Sequence, residues 1–118
     1  MHSQLKQLFE KNCHFTQSGM VEEVMDTIHT QSLAYTQTQK ALENLFTHYQ
    51  LKVEPIAFKY MGKDKTYAYA RVQQQMTKIS GPEFKNNIVD QFMVFKQDGE
   101  YWKIWTIAIL NIQYIDTL

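Results

Sequence analysis

Residues 86–110 constrain this chain more than any other stretch. They read as one long hairpin: an arm over 86–96, a turn at Gln97-Asp98-Gly99-Glu100, and a second arm over 101–110. Both arms are dense in Val, Ile, Phe, Tyr and Trp, whose branched or planar side chains suit a pleated, half-buried surface. Asp98 and Gly99 tolerate positive φ, the commonest chemistry for a tight hairpin turn. The rest of the chain then has to supply neighbouring strands and a cover.

The cover comes first in the chain. Leu5, Leu8, Phe9 and Cys13 recur at helical spacing, with Gln4, Lys6, Gln7, Glu10 and Lys11 on the other side; that is a short amphipathic helix. After a loop at residues 16–19, Ser18 is placed to cap a second helix, whose first turn carries Glu22 and Glu23 at the favourable end of the dipole. Val21, Val24, Met25 and Ile28 form its apolar stripe, and residues 29–32 break the pattern. Thr36 with Gln39 has the form of a capping box, which predicts a third helix carrying Leu42, Leu45, Phe46 and Tyr49 on one face. From Leu51 the period changes. Residues 53–61 read as a strand with Pro55 near its start, residues 62–65 as a hairpin loop, and residues 66–79 as a second long strand. Ser80-Gly81-Pro82 punctuates it, and residues 114–118 are expected to trail as a strand end or short tail. Helices followed by antiparallel strands make an α+β domain, one unit over 1–118. Strands of ten or more residues, at ~3.3 Å each, outrun three short helices unless the sheet curls around them. A curled sheet has a concave side, and helices closing that side leave a pocket.

Twelve basic and twelve acidic residues cancel, and Arg71 is the single arginine. Neither a global field nor a guanidinium-rich surface therefore favours nucleic acid. The longest apolar run, residues 104–110, is interrupted by Thr106 and is far short of the roughly 20 residues that span a bilayer. Cys13 is the only cysteine, which excludes an intrachain disulfide and a structural zinc site. With no signal-peptide pattern at the start, the expectation is a soluble, cytoplasmic protein. His2, His14, His29 and His48 share no metal-ligand spacing, and the four glycines do not cluster into a phosphate-cradling loop. No metal or cofactor is expected.

Three helices ahead of a bent antiparallel sheet resemble the NTF2-like, or cystatin-like cone, superfamily, which includes SnoaL-like and ketosteroid isomerase-like proteins. Residues Asp98-Gly99-Glu100-Tyr101-Trp102-Lys103-Ile104 resemble the DG-x-W-(K/R)-I opening of that fold's last strand, and residues 29–35 sit where such proteins leave their second helix. The likeness runs from Leu5 to about Tyr114. It implies a cone that commonly dimerises through a sheet face. Its members include isomerases, cyclases, dehydratases, transport factors and many proteins without known activity, so the fold alone does not decide function. In the enzymes a pocket Asp or His acts as base and a Tyr or acid as hydrogen-bond donor. Here that implies Asp90, His29 and Tyr35 as catalytic candidates.

Each candidate has a plainer reading. Asp90 interrupts an apolar arm between Val89 and Phe92. It faces either the concave interior, where burial would raise its pKa and suit acid–base work, or solvent. His29 lies three residues after Asp26, which could orient it as a base, or it simply meets the C-terminal dipole of its helix. The aromatics are too many for one small core and fall on both strand faces. A sheet with one solvated face alternates more cleanly, so one face should meet the helices and the other a second copy of the chain. Tyr69, Gln73, Phe92 and Trp105 are the candidates for contacting a small apolar or amphipathic ligand, with burial in a homodimer as the alternative. The Gln73-Gln74-Gln75 run beside Arg71 offers amides to a polar ligand on the inner face, or a polar contact on the outer one.

Overall fold

The computed structural model describes residues 2–115 and contains α1 (His2–Ser18), α2 (Val21–Asp26), α3 (Tyr35–His48), β1 (Gln50–Asp64), β2 (Tyr67–Ser80), β3 (Asn87–Asp98) and β4 (Tyr101–Tyr114). The strands form an antiparallel meander in the order β1-β2-β3-β4. This is the expected α+β architecture, helices first and a curved sheet after. Three register shifts interrupt β1 against β2, and two interrupt β3 against β4. Each adds a residue to one strand, which bends it and increases its twist. The extra residues on β4 are Trp105 and Leu110.

The core forms where α1 lies on the inner face of the sheet. Leu5, Phe9 and Cys13 are four residues apart, so they stack on one helix face, and all three are buried. They meet Leu51, Val53, Ala68, Ala70, Val72, Met93, Phe95 and Ile104. Ala68 and Ala70, both fully buried, leave room for the helix to lie close to β2. Burying Phe9 alone contributes about 1.5–3 kcal/mol. α3 contributes no fully buried residue; Leu45 and Tyr49 reach the core from its last turns.

The link after α2 fastens to the free edge of β4. The Ile104 N–H donates to Thr27 O at 2.8 Å, and the His29 N–H donates to Ile104 O at 2.8 Å, forming a parallel bridge between Ile28 and Ile104. The Ser32 hydroxyl donates to Trp105 O at 2.8 Å.

Local signals in the helices and the first hairpin were misplaced by a few residues. Ser18 does not cap α2; it ends α1, and its hydroxyl donates back to His14 O. Gly19, at φ 70, closes α1 with the Gly19 N–H on Thr16 O and the Met20 N–H on Phe15 O, the paired bonds of a glycine C-terminal cap. Met20 takes the N-cap of α2 with no side-chain hydrogen bond. Thr36 lies inside α3, whose N-cap is Ala34, so the expected capping box does not form. The first hairpin turns at Lys65 and Thr66, not at residues 62–65; Lys65 accepts φ 54, while Gly62, at φ 140, lies within β1 beside a register shift. The second hairpin turns at Gly99 and Glu100 as its glycine required, and β4 continues past Leu110 to Tyr114. Of the tail expected over 114–118, residues 116–118 lie outside the described residues.

Candidate functional site

Strand pairing assigns each paired sheet residue to a face, because directly opposite partners project to the same side; the unpaired bulge residue Trp105 is placed by its ring contacts with Tyr67 and Lys96. On the inner face with the core are Gln74 and Met76 of β2, Asn87, Val89, Gln91, Met93 and Phe95 of β3, and their β4 partners Ile104, Ile107, Ile109, Ile112 and Tyr114. The outer face carries Tyr67, Tyr69, Arg71, Gln73 and Gln75 of β2 against Lys96, Val94, Phe92, Asp90 and Ile88 of β3.

Asp90 therefore points away from the helices. Arg71, two register positions along on β2 and so on the same face, grips it with two hydrogen bonds: Nε to Oδ1 at 3.0 Å and Nη2 to Oδ2 at 2.6 Å. The paired fork geometry is the strong form of this contact. It holds the Asp90 carboxyl below the usual carboxylate range, first through the Arg71 hydrogen bonds and, against the opposing desolvation of this buried carboxylate, through the Arg71 charge; Gln73 lies directly across from Asp90. The pKa moves opposite to the rise that an apolar pocket would impose. The same contact raises Arg71 above its already high value.

His29 sits at the other end of this side of the sheet. Its ring meets the Trp105 ring edge-on at 5.1 Å, and its Nδ1 accepts the Gln31 N–H at 3.1 Å; the proton of a neutral ring is then on Nε2. Trp105 also meets Tyr67 at 6.4 Å, and Lys96 Nζ lies 4.2 Å from the Trp105 ring and 5.4 Å from the Tyr67 ring. Tyr69 stacks on Phe92 at 5.9 Å. All four expected ligand-contacting residues, Tyr69, Gln73, Phe92 and Trp105, thus lie on the outer face. His29 and Asp90 are not brought together. His29 bonds to Ile104, whose β3 partner is Phe95, five residues from Asp90, or about 16 Å along the strand. Tyr35 is half-buried at the first position of α3.

The inner face holds polar residues that the sequence reading did not single out as a site. Asn87 and Gln91 are both more than nine-tenths buried, and their side-chain oxygens, Oδ1 and Oε1, have no hydrogen-bond partner among the described residues. Asn87 Nδ2 donates to Lys85 O at 2.9 Å, which orients its amide and leaves the oxygen as the unpaired atom. The nearby Cys13 thiol donates to Gln74 Oε1 at 3.5 Å. Burial pushes this thiol up to about 12, with the Glu10 charge adding to the effect, so it is no nucleophile. Across the ladder from Gln91, Val89 and Asn87 stand Ile109, Ile112 and Tyr114, exposed by 60%, 40% and 61%. The inner face is sealed over β3 and open over β4. The shared parity of Asn87 and Gln91 with Met93 and Phe95 was the signal that could have placed them inside. Among the described residues, no group of three or more His, Cys, Asp or Glu side chains gathers to hold a metal, and no helix is long and apolar enough to cross a membrane.

Residues 7–115 match the family described as the anti-sigma-I factor RsgI9, C-terminal domain. No curated protein matches the sequence significantly. Solved structures do resemble the fold. A candidate aromatic ring hydroxylase from Novosphingobium aromaticivorans superposes with a TM-score of 0.78 at 13% identity, over 97% of this chain and 92% of that one. A candidate scytalone dehydratase from the same organism gives 0.78 at 11% identity, over 98% and 88%. An NTF-2 like protein of unknown function from Shewanella oneidensis gives 0.69 at 10% identity, over 91% and 96%. At these identities the likeness shows the fold, and that fold is the NTF2-like cone.

Proposed function

We propose that this chain, which belongs to the family of the RsgI9 anti-sigma-I factor C-terminal domain, is a binding domain that takes a small apolar or amphipathic molecule on the inner face of its cone. The observation that carries this reading is the pairing of two unpartnered buried amide oxygens, on Asn87 and Gln91, with an uncovered row of isoleucines on the next strand. A buried acceptor without a donor costs roughly 1–3 kcal/mol; a ligand hydroxyl or N–H would relieve that cost while its body covers Ile109 and Ile112. The family description also names part of a regulatory protein, which favours binding over turnover. The test is a thermal-shift screen of hydroxylated aromatic and alicyclic compounds, since a bound ligand raises apparent stability. Compounds that stabilise the native chain should lose their effect in Gln91→Leu and Ile109→Asp. A hit that stabilises both variants equally removes this site, and a screen without hits removes the reading.

The outer face favours a second element of the same proposal, a homodimer. Tyr67, Tyr69, Phe92, Val94 and Trp105 are half-buried on a sheet face that, among the described residues, no helix covers. A partner's sheet would finish burying them. Light scattering is expected to give twice the chain mass at micromolar concentration, and a monomer there sinks the dimer. An isomerase-, cyclase- or dehydratase-like enzyme using Asp90, His29 and Tyr35 is the alternative. It draws less support, because Arg71 keeps Asp90 ionised and about 16 Å of strand separates it from the level of His29. The cytoplasmic setting expected from the lone cysteine remains part of the proposal.

A further inference from the structure

α1 carries a second stripe beside its core stripe. Gln4, Leu8, Lys11 and Phe15 follow one another at three- and four-residue spacing, so they share a face. Leu8 also packs partly on the core cluster, as Trp102 does from β4, but the rest of this face turns toward α2. With α2 and the start of β4 it walls a groove of about 660 Å³, within the range of small-molecule sites. Leu8 and Phe15 line it from α1, and Tyr101 and Trp102 from β4. Tyr101 is 69% exposed and outside the core cluster, so its ring has no packing role there.

The groove is charged on one side of neutrality, although the chain as a whole is balanced. Glu22, Glu23, Asp26 and Glu100 line it, against Lys11 and Lys103. Lys103 is already engaged, its Nζ donating to Asp26 O at 2.6 Å and lying 3.7 Å from Asp26 Oδ1. From β1, Lys63 Nζ stands 5.7 Å from the Trp102 ring centre. That contact shows the ring's π-face accepting an ammonium in the chain itself. Aromatic faces and carboxylates attract the same kind of guest, an organic cation, and repel an anion.

We propose that this groove binds a small organic cation, an ammonium carried on an aromatic or branched aliphatic body. The body packs on Leu8 and Phe15 and the charge sits among Glu22, Glu23 and Glu100, with Tyr101 and Trp102 beside it. The site is separate from the inner face of the sheet, so it stands or falls apart from the ligand proposed there.

The probe is benzyltrimethylammonium, titrated into the full chain while two-dimensional ¹H–¹⁵N NMR follows the Trp102 indole N–H and the backbone amides of Glu22, Glu23 and Tyr101. 3-Phenylpropanoate, similar in size and opposite in charge, is the control. The expected result is saturable shifts at these positions with the cation, none with the anion, and weakening as salt is added. The triple variant Glu22→Gln/Glu23→Gln/Glu100→Gln should keep the native spectrum elsewhere and weaken the cation by about ten-fold or more. Equal response to cation and anion, no response to the cation, or unchanged affinity in the folded triple variant each overturns the proposal.

Discussion

The inner and outer faces of the sheet are built from the same four strands and differ in what covers them. Inside, α1 seals Ala68, Ala70, Val72, Met93 and Phe95 to 1% exposure or less. Outside, Tyr67, Tyr69, Phe92 and Trp105 cover one another in pairs and leave part of each ring open. Both faces also hold polar groups, handled in opposite ways. Asp90 on the outer face has a bidentate partner in Arg71, whereas Asn87 and Gln91 on the inner face each keep an unpaired oxygen. The difference teaches that on this sheet burial and polar satisfaction are separate matters. The better-paired polar group is on the more open face.

The largest effect that sharpens the contrast is Phe9→Ala, expected to cost about 3–5 kcal/mol because it leaves a cavity under α1. Phe92→Ala should cost less than about half of that in the monomer, since its ring is only half-buried. Urea unfolding of both at low protein concentration compares them directly, and equal losses would break the contrast. Next is Gly81→Ala. Gly81 holds φ 125, and a Cβ there would lie 2.5 Å from His48 O and 3.2 Å from Tyr49 Cα. The backbone cannot yield cheaply, so a loss of roughly 2–4 kcal/mol is expected from a position on neither face.

Thiol chemistry reads out the seal on the inner face. Cys13, with its pKa pushed up to about 12 by burial, should react with a disulfide reagent at pH 8 only as fast as the chain opens. Its folded pKa is above the unfolded value of about 8.5. The stability linked to it is therefore complete below about pH 8.5 and is lost as pH climbs toward 12. Fast labelling of the folded protein would show that α1 is not closed on the sheet. The smallest expected effect is on the outer face. Asp90 is buried but its partner Arg71 is half-exposed and screened by solvent, so Asp90→Asn should lower neutral-pH stability only modestly. Its signature is in acid. The folded pKa of Asp90 is lowered, so the pair stabilises the fold above the unfolded carboxylate pKa of about 3.9. That contribution fades as pH falls through the folded value. Wild type and Asp90→Asn should converge in the acid limb of a stability profile, and parallel curves would deny the pair any role.

Much of this was legible in the residues. The Leu5-Phe9-Cys13 spacing named the helix face that became core, and Gly99 named the second turn; the alternation of Ala68, Ala70 and Val72 with Tyr67, Tyr69 and Arg71 left open which side of β2 faced the helices. β3 did not name its own. Val89, Met93 and Phe95 on one side and Ile88, Phe92 and Val94 on the other are equally apolar, so periodicity could not say which way Asp90 or Gln91 pointed. The Ser18 and Thr36 signals failed for a related reason. Each residue can cap a helix, but the cap forms only where the chain has left helical geometry, and Gly19 and Ala34 decided where that happens.

By itself the sequence determined the order of elements, the helical stripe that becomes core and the need for a curved sheet, because these follow from local periodicity and from strand lengths that outrun the helices. Only the tertiary structure decided that Asp90 belongs to Arg71, that His29 rests on Trp105 far from it, and that Asn87 and Gln91 end up inside without donors. Those pairings join residues distant in sequence through strand register and bulges. A shift of one position turns every side chain to the other face, and no local pattern in β3 specified that position.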